Sequence, residues 1–533
     1  MKIFFRNLLY IVLLTVVVVR CAQRGNPSGG PVDIEPPVIK KIAPANYTAN
    51  FVNQKITIEF DEYITLKDLQ QQLVVSPPLE YRPIIKPQGG VARKLTIEIQ
   101  DTLKDDTTYV LNFGEAIVDN NEANAYPFFR YVFSTGAVID SLTLEGRVAN
   151  AYEYVTDDFV SVLLYEINEQ YTDSAVYNLE PNYVLNTRDS LLNFKMQNLR
   201  AGRYKMLALK ETSSNLRFNP EIDKIGFVSG EVQLPNQESY ELRLFTEKKK
   251  NEVKKVYQVT QNRIDVAYTG NRELLVIEPL VADQILQSRI TKLDETDTLN
   301  YWYRKAPGID SIQFLTSMGS MRDTFNIKFK KLQKDTLTIS KQGKFSLGTN
   351  PSLKASTPME QVDKSLVKVL DRDSTEVPFD IQLDKFKNRF EVVMKTSELQ
   401  QYKLELLPDA VRDFYGATNP DTLNFNFATR SLIELATVIV DLKGGTQFPV
   451  VVQLVSASGQ KLLAQEVARE NKRMLFEFLD PAEFQVRIIY DTNDNGKYDT
   501  GDFLKGIQPE RVYYTPAFSV QSNWEYVQTI NLE

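Results

Sequence analysis

The chain has 533 residues, a formal net charge of -7, no histidine and a single cysteine. The missing histidine excludes imidazole general bases, Ser-His-Asp triads and His-ligated metal centres, and an acidic chain without a long basic stripe argues against wrapping nucleic acid. So long a chain calls for several domains rather than one core.

The chain opens with Lys2 and Arg6, then an apolar run from Leu8 to Val19, then Arg20-Cys21-Ala22-Gln23. A turn-rich tract follows, Gly25-Asn26-Pro27-Ser28-Gly29-Gly30-Pro31. That order is the plan of a secretory signal over 1–20. The apolar run is about twelve residues, short of the roughly twenty that cross a bilayer as a helix. A cysteine at such a junction is the acceptor for a diacylglycerol, so Cys21 is the expected lipidation site and 21–37 the lipidated tether. Arg20 stands where such signals usually carry a small residue; the bland alternative is a free thiol behind an ordinary signal.

From residue 38 the dominant signal is period-two alternation. Lys55–Phe60, Leu95–Ile99 and Tyr109–Phe113 alternate apolar and polar positions, and turn chemistry at Ser76-Pro77-Pro78, Gln88-Gly89-Gly90 and Asp119-Asn120-Asn121 separates them. Residues 38–137 therefore read as a β-sandwich. Residues 138–246 repeat the style, with strands expected around Thr143–Val148, Ser161–Tyr165, Phe194–Leu199 and Tyr204–Leu209. A basic connector, Lys248-Lys249-Lys250 with Lys254 and Lys255, opens a β-rich but irregular middle segment over 247–345. Within it, Tyr301-Trp302-Tyr303 has two readings: a platform for stacking a sugar, or the packed face of a strand.

The chain then starts again. Gln401–Leu406 takes the place of Thr108–Phe113, and each is followed by an acidic turn, Asp119-Asn120 and Asp413–Gly416. Further on, Leu199–Asp223 aligns without gaps on Leu479–Phe503, pairing Glu211 with Asp491 and Asn215 with Asn495. The second copy is thus an Ig-like sandwich over 346–431 and a C-terminal sandwich over 432–533. The fold class expected is all-β: tandem sandwiches, two Ig-like and two transthyretin or prealbumin-like, around the irregular middle.

Several stretches carry a family resemblance. Cys21-Ala22, Gly25, Pro27, Gly29-Gly30-Pro31 and Pro36-Pro37, then Phe60–Ile64, Thr107–Tyr109, Asn112–Gly114 and Phe133–Gly136 are similar to outer-membrane lipoproteins of Bacteroidota. Those carry an N-terminal bacterial immunoglobulin-like domain of the S-layer SbsA type. The resemblance implies an envelope lipoprotein anchored in the outer membrane, on the surface or the periplasmic face. It implies no activity.

One stretch has the spacing of a chemical site. Asp491-Thr492-Asn493-Asp494-Asn495-Gly496-Lys497-Tyr498-Asp499-Thr500-Gly501-Asp502 matches a twelve-residue calcium loop. Asp491, Asn493 and Asn495 would supply side-chain oxygens, Lys497 its carbonyl, and Asp499 and Asp502 carboxylates, with Gly496 at the sharp turn. Asp502 is shorter than the usual closing Glu, and strands rather than helices flank the loop. The competing reading is a metal-free turn whose Asx side chains cap their own backbone. A structural Ca2+ is the only cofactor expected. The adjacent pairs Asp61-Glu62 and Asp105-Asp106 are weak candidates for paired-carboxylate hydrolysis. The functional expectation is a non-enzymatic scaffold or interaction subunit that docks an outer-membrane protein; the alternative is a carbohydrate-binding or adhesive surface protein.

Overall fold

The computed structural model describes residues 33–187, 193–280 and 285–532. The signal, Cys21 and most of the tether lie outside them. Two compact units result: residues up to Leu142 with Asn182–Leu185 and Gln197–Arg200, and the remainder.

The first sandwich holds β1 (Ile39–Ala43), β2 (Lys55–Leu66), β3 (Val74–Ser76), β4 (Ile84–Lys86), β5 (Ala92–Glu98), β6 (Thr108–Asn112), β7 (Ile117–Asp119) and β8 (Arg130–Ser134). One sheet runs β1-β2-β5-β4 with β7 also on β2, and the other runs β3-β6-β8. Alternation drives this arrangement: Ile56, Ile58, Phe60 and Ile64 of β2 point inward with Leu95 and Ile97 of β5, meeting Tyr109, Leu111 and Phe133. Past a register slip between Glu59 and Ile64, β2 keeps β5 on one side, with Ile64 opposite Ala92, and exchanges β1 for β7 on the other.

The second sandwich comprises β9 (Leu142–Asn150), β10 (Ser161–Glu166), β11 (Tyr183–Asn186), β12 (Asn193–Leu199), β13 (Gly202–Lys210), β14 (Lys224–Phe227), β15 (Val232–Leu234) and β16 (Ser239–Leu244). Its sheets are β12-β9-β16 and β11-β10-β13-β14, with β15 on β13.

The middle segment is more regular than its sequence. β17 (Glu252–Thr260), β18 (Arg263–Thr269), β19 (Leu275–Pro279), β20 (Ile285–Lys292), β21 (Thr298–Lys305), β22 (Ser311–Met318) and β23 (Met321–Lys328) form two sheets, β17-β18-β21-β20 and β19-β22-β23. Ile264, Val266, Tyr301, Tyr303 and Phe314 fill the core between them.

The fourth sandwich has β24 (Ile339–Lys341), β25 (Ser352–Ala355), β26 (Met359–Val362), β27 (Val367–Leu370), β28 (Phe379–Asp384), β29 (Arg389–Met394), β30 (Gln401–Leu406), β31 (Val411–Asp413) and β32 (Leu423–Ala428). Its strand orders are β24-β25-β29-β28, β26-β31 and β27-β30-β32. This is the topology of the first sandwich, with the long β2 broken into β25 and β26 at the place where β2 changes partners.

The fifth comprises β33 (Ala436–Lys443), β34 (Val450–Ser456), β35 (Leu462–Ala468), β36 (Arg473–Leu479), β37 (Ala482–Tyr490), β38 (Val512–Tyr514), β39 (Phe518–Val520) and β40 (Glu525–Asn531). Its sheets, β36-β33-β40 and β35-β34-β37-β38 with β39 on β37, reproduce the second sandwich strand for strand. Even the parallel closure recurs, β16 beside β9 and β40 beside β33. In β37, Phe484, Val486 and Ile488 face the core of the fifth sandwich. The opposite face, Gln485, Arg487 and Ile489, is buried as well.

Candidate functional site

The calcium-type loop follows β37, and its counterpart follows β13. The two strands correspond position for position, Gly202 with Ala482 and Lys210 with Tyr490, so Glu211 and Asp491 leave them at the same point. Asp491 accepts from the backbone N–H groups of Asn495 (3.1 Å) and Gly496 (2.7 Å). Glu211 accepts from those of Asn215 (2.6 Å) and Leu216 (2.9 Å), the same two positions. Burial pushes the Glu211 carboxyl up against the effect of these bonds.

A second carboxylate closes each loop from the far side. Glu510 accepts from the N–H of Thr492 (2.7 Å) and of Asp499 (2.9 Å). Asp223 accepts from the N–H of Thr212 (3.1 Å) and of Asn219 (2.8 Å), again the corresponding positions. The backbone agrees as well: Asp494 and Gly496 have φ of 57° and 72°, and Ser214 and Leu216 have 52° and 56°. A glycine suits that left-handed conformation, yet the first copy reaches it with Leu216 and no glycine. Both loops are therefore held by one hydrogen-bond scheme, in which two carboxylates at the base of the loop accept from the backbone donors of its mostly exposed residues.

The remaining positions of the calcium pattern have protein partners. Asn493 donates from Nδ2 to Asp499 Oδ2 (2.7 Å), and Asn495 donates from Nδ2 to the same oxygen. Lys248 donates to Asp499 Oδ1, and this contact is the foremost cause holding Asp499 below the usual carboxylate range. Lys505 donates to Asp502 through both its N–H (3.1 Å) and its Nζ (2.6 Å), and likewise holds that carboxyl low. Lys497 donates its N–H to Asn495 Oδ1 (2.8 Å). The loop thus gathers Asp491, Asn493, Asn495 and Asp499 around one turn and leaves Asp502 with Lys505. Among the described residues no group of three or more His, Cys, Asp or Glu is disposed to hold a metal. As they stand, the donors bound to these carboxylates suit a capped turn rather than an ion.

The aromatic run on β21 offers no stacking platform. Tyr301, Trp302 and Tyr303 on β21 are 2%, 1% and 1% exposed, so no ring presents a face to a ligand. Tyr301 sits edge-on to Phe314 and Tyr303 stacks on Phe329 in the core, while Trp302 on the other face donates from Nε1 to Thr291 Oγ1 (2.9 Å). Arg263 lies over the Trp302 ring at 5.3 Å. Tyr301 and Tyr303 belong to the core and Trp302 is buried on the opposite face, so the packed-strand reading holds and the stacking one does not.

The carboxylate pairs do not form a shared site. Asp61 accepts from the N–H of Val38 (2.8 Å), and Asp105 and Asp106 are exposed in a turn. The carboxylate with the densest contacts in the first sandwich is Asp119, 2% exposed, which accepts from the N–H groups of Asn121, Glu122, Ala123 and Asn124 at 2.7–3.1 Å. Burial works to raise it and is outweighed by these four bonds, which hold it below the usual range. Asp413, at the equivalent end of β31, accepts from the N–H of Tyr415 (2.9 Å) and Ala417 (2.8 Å) and from Thr357 Oγ1 (2.8 Å).

Residues 33–135 match the family of bacterial Ig-like domains. The first sandwich is a bacterial Ig-like domain. The fourth sandwich shares the strand order of this Ig-like domain. No curated protein matches the chain. Among solved structures, the surface-layer protein SbsC, domains 1–6, is 9% identical, with 92% of this chain and 67% of that one covered and a TM-score of 0.15. The N-terminal eight Ig domains of Down Syndrome Cell Adhesion Molecule are 8% identical, covering 91% and 69%, with a TM-score of 0.15. SGBP-B of the Bacteroides ovatus mixed-linkage glucan utilization locus, in complex with a mixed-linkage heptasaccharide, is 9% identical, covering 84% and 99%, with a TM-score of 0.18. At such TM-scores these likenesses support neither a shared ligand nor a shared activity.

Asp223 and Glu510 escape the sequence reading. The gap-free alignment pairs Asp223 with Phe503, whereas its structural counterpart Glu510 lies beyond Gly501–Pro509, outside the twelve-residue window. The available signal was a buried acid placed just before β14 and β38 in both copies.

Proposed function

We propose that this protein is a non-enzymatic cell-envelope scaffold, anchored through an acyl group on Cys21, whose sandwiches hold an outer-membrane protein partner. The observation that carries the reading is the use made of buried carboxylates. Asp119 and Asp413 in the Ig-type pair, and Asp223, Asp491 and Glu510 in the other pair, all accept backbone N–H groups in turns. With no histidine in the chain and no cysteine beyond Cys21, general acid–base and thiolate chemistry lack their usual carriers. The glycan-binding alternative loses the platform it rested on.

The anchor is tested by Cys21→Ser. The variant is expected to leave the membrane pellet and appear in the soluble envelope fraction, with the folded domains intact. Retention in the pellet at wild-type levels would remove the acyl anchor from the proposal.

In this reading the 491–502 loop is a strut, with or without an ion. A calcium ion would have to displace Lys248 from Asp499 and Lys505 from Asp502. Chelation with EDTA is therefore expected to leave the thermal midpoint within about 1 °C of its starting value. A fall of several degrees that calcium alone restores would place an ion in the loop.

A further inference from the structure

The two copies of the second sandwich type differ most on the buried outer face of their longest strands. In the first copy Leu163 pairs across the sheet with Leu207, both fully buried. At the same place the second copy pairs Gln453 with Arg487, and Arg487 is only 3% exposed. The first copy proves that apolar residues satisfy the fold here. A buried guanidinium is no better for stability than such a pair, and without a counter-charge it is worse.

Arg487 has neutral partners. Its Nε donates to Gln453 Oε1 (2.6 Å), and its Nη1 donates to the carbonyl of Gly459 (3.2 Å) and to the Tyr514 hydroxyl (3.0 Å). Its guanidinium lies 4.2 Å from the centre of the Tyr152 ring, which closes over it from the second sandwich. No carboxylate pairs with Arg487 among the described residues, and Nη2 is not used by these bonds. Two residues back on β37, and so on the same face at a Cα spacing of roughly 7 Å, stands Gln485. It is 0% exposed, and both its amide nitrogen and its amide oxygen are without a hydrogen-bond partner. A native fold rarely leaves such a group unmet next to a buried charge.

We infer that Arg487 and Gln485 form a binding site for a small singly charged anion, a halide or a formate-sized carboxylate. The anion would accept from Arg487 Nη2 and Gln485 Nε2, supplying both the missing counter-charge and the missing acceptor. The Tyr152 ring would shield it from water and strengthen the contact. The site would then couple anion binding to the docking of the second sandwich on the fifth, because Tyr152 belongs to one and Arg487 to the other.

The test is thermal unfolding of the full chain in detergent, titrated with sodium chloride, formate or sulfate at constant ionic strength balanced with sodium gluconate, whose anion is too bulky for the site. The expected result is a rise with chloride or formate that sets in around a midpoint concentration, the site's dissociation constant, and then continues at about 2 °C per tenfold, over the featureless non-specific drift that the larger, doubly charged sulfate gives. A response to chloride alone identifies a halide site, and a response to formate alone identifies a carboxylate site. Arg487→Met is expected to abolish the rise. Gln485→Leu removes an unmet amide without removing the charge, so it should fold and shift the midpoint concentration upward by tenfold or more. A wild-type response to chloride and formate no different from the sulfate drift, or the same midpoint concentration in Gln485→Leu, would overturn the proposal.

Discussion

Replacing Trp302 with alanine is expected to destabilise the middle sandwich by about 3–5 kcal/mol, the cost of emptying a fully buried indole site. The ring is 1% exposed, and its Nε1 donor and the Thr291 hydroxyl are each other's partners. Truncation therefore leaves a cavity, an unmet hydroxyl and an arginine, Arg263, that has lost the ring beneath it. Urea titration followed by circular dichroism would resolve the loss, with fluorescence of Trp524 marking the fifth sandwich's own transition so that the middle sandwich's is fitted separately. A second readout separates packing from ligand stacking. Glycan binding, if the protein has any, should be unchanged in Trp302→Phe, which keeps most of the packed volume. A Trp302→Ala variant of wild-type stability that specifically lost glycan binding would restore the platform.

Asp119→Ala should cost about 2 kcal/mol, because four backbone N–H groups lose a charged acceptor at once, although the turn residues Asn121–Ala123 are themselves exposed and water takes up part of the loss. The effect carries a pH signature whose sign follows from the carboxyl's lowered position. The folded protein binds the Asp119 proton more weakly than the unfolded chain does. Its contribution is thus present in full above the ordinary aspartate value, about pH 4, and disappears as the pH falls through the lower folded-state value. The stability gap between wild type and Asp119→Ala should be constant from about pH 5 to 8 and close progressively below about pH 4. A gap that stayed constant down to pH 2 would mean that the charge of Asp119 does not matter and that the turn is held by its shape alone.

Much of the fold was legible because the strands alternate cleanly wherever one face meets a core. Lys55–Phe60 and Tyr109–Phe113 fell on β2 and β6, and the repeat between Leu199–Asp223 and Leu479–Phe503 proved to be a repeat of strand order. The middle segment was harder for a physical reason. Arg263, Asp265, Asn300 and Trp302 lie on the face of its sheet turned away from the core, and there they are buried or half-buried through hydrogen bonds and ion pairs rather than exposed. Polar residues inside erase the contrast on which period-two reading depends. Of the two readings open for Trp302, strand packing is the one its burial supports.

The calcium-type loop shows a different limit. Spacing identified the turn and offered Asp491 as a metal ligand or a backbone cap, and it could not reveal that Lys248, from the linker between the second and middle sandwiches, lies against Asp499. Nor could it reach Glu510, which the local pattern does not include although it binds both Thr492 and Asp499. Long-range partners decide whether a run of carboxylates is a ligand set or a capped turn. The same holds for Arg487, whose apolar counterpart Leu207 gives no hint of a charge at that position.

The scaffold proposal is tested most directly by purifying the tagged full chain from detergent-solubilised membranes and measuring the mass of the particle that carries it. The expected result is a complex of defined stoichiometry with an integral outer-membrane protein, retained through size exclusion and absent when Cys21→Ser keeps the chain off the membrane. Recovery of the wild-type chain as a lone monomer of the mass of residues 21–533 with its acyl groups, with no partner at any detergent or salt condition, would contradict it.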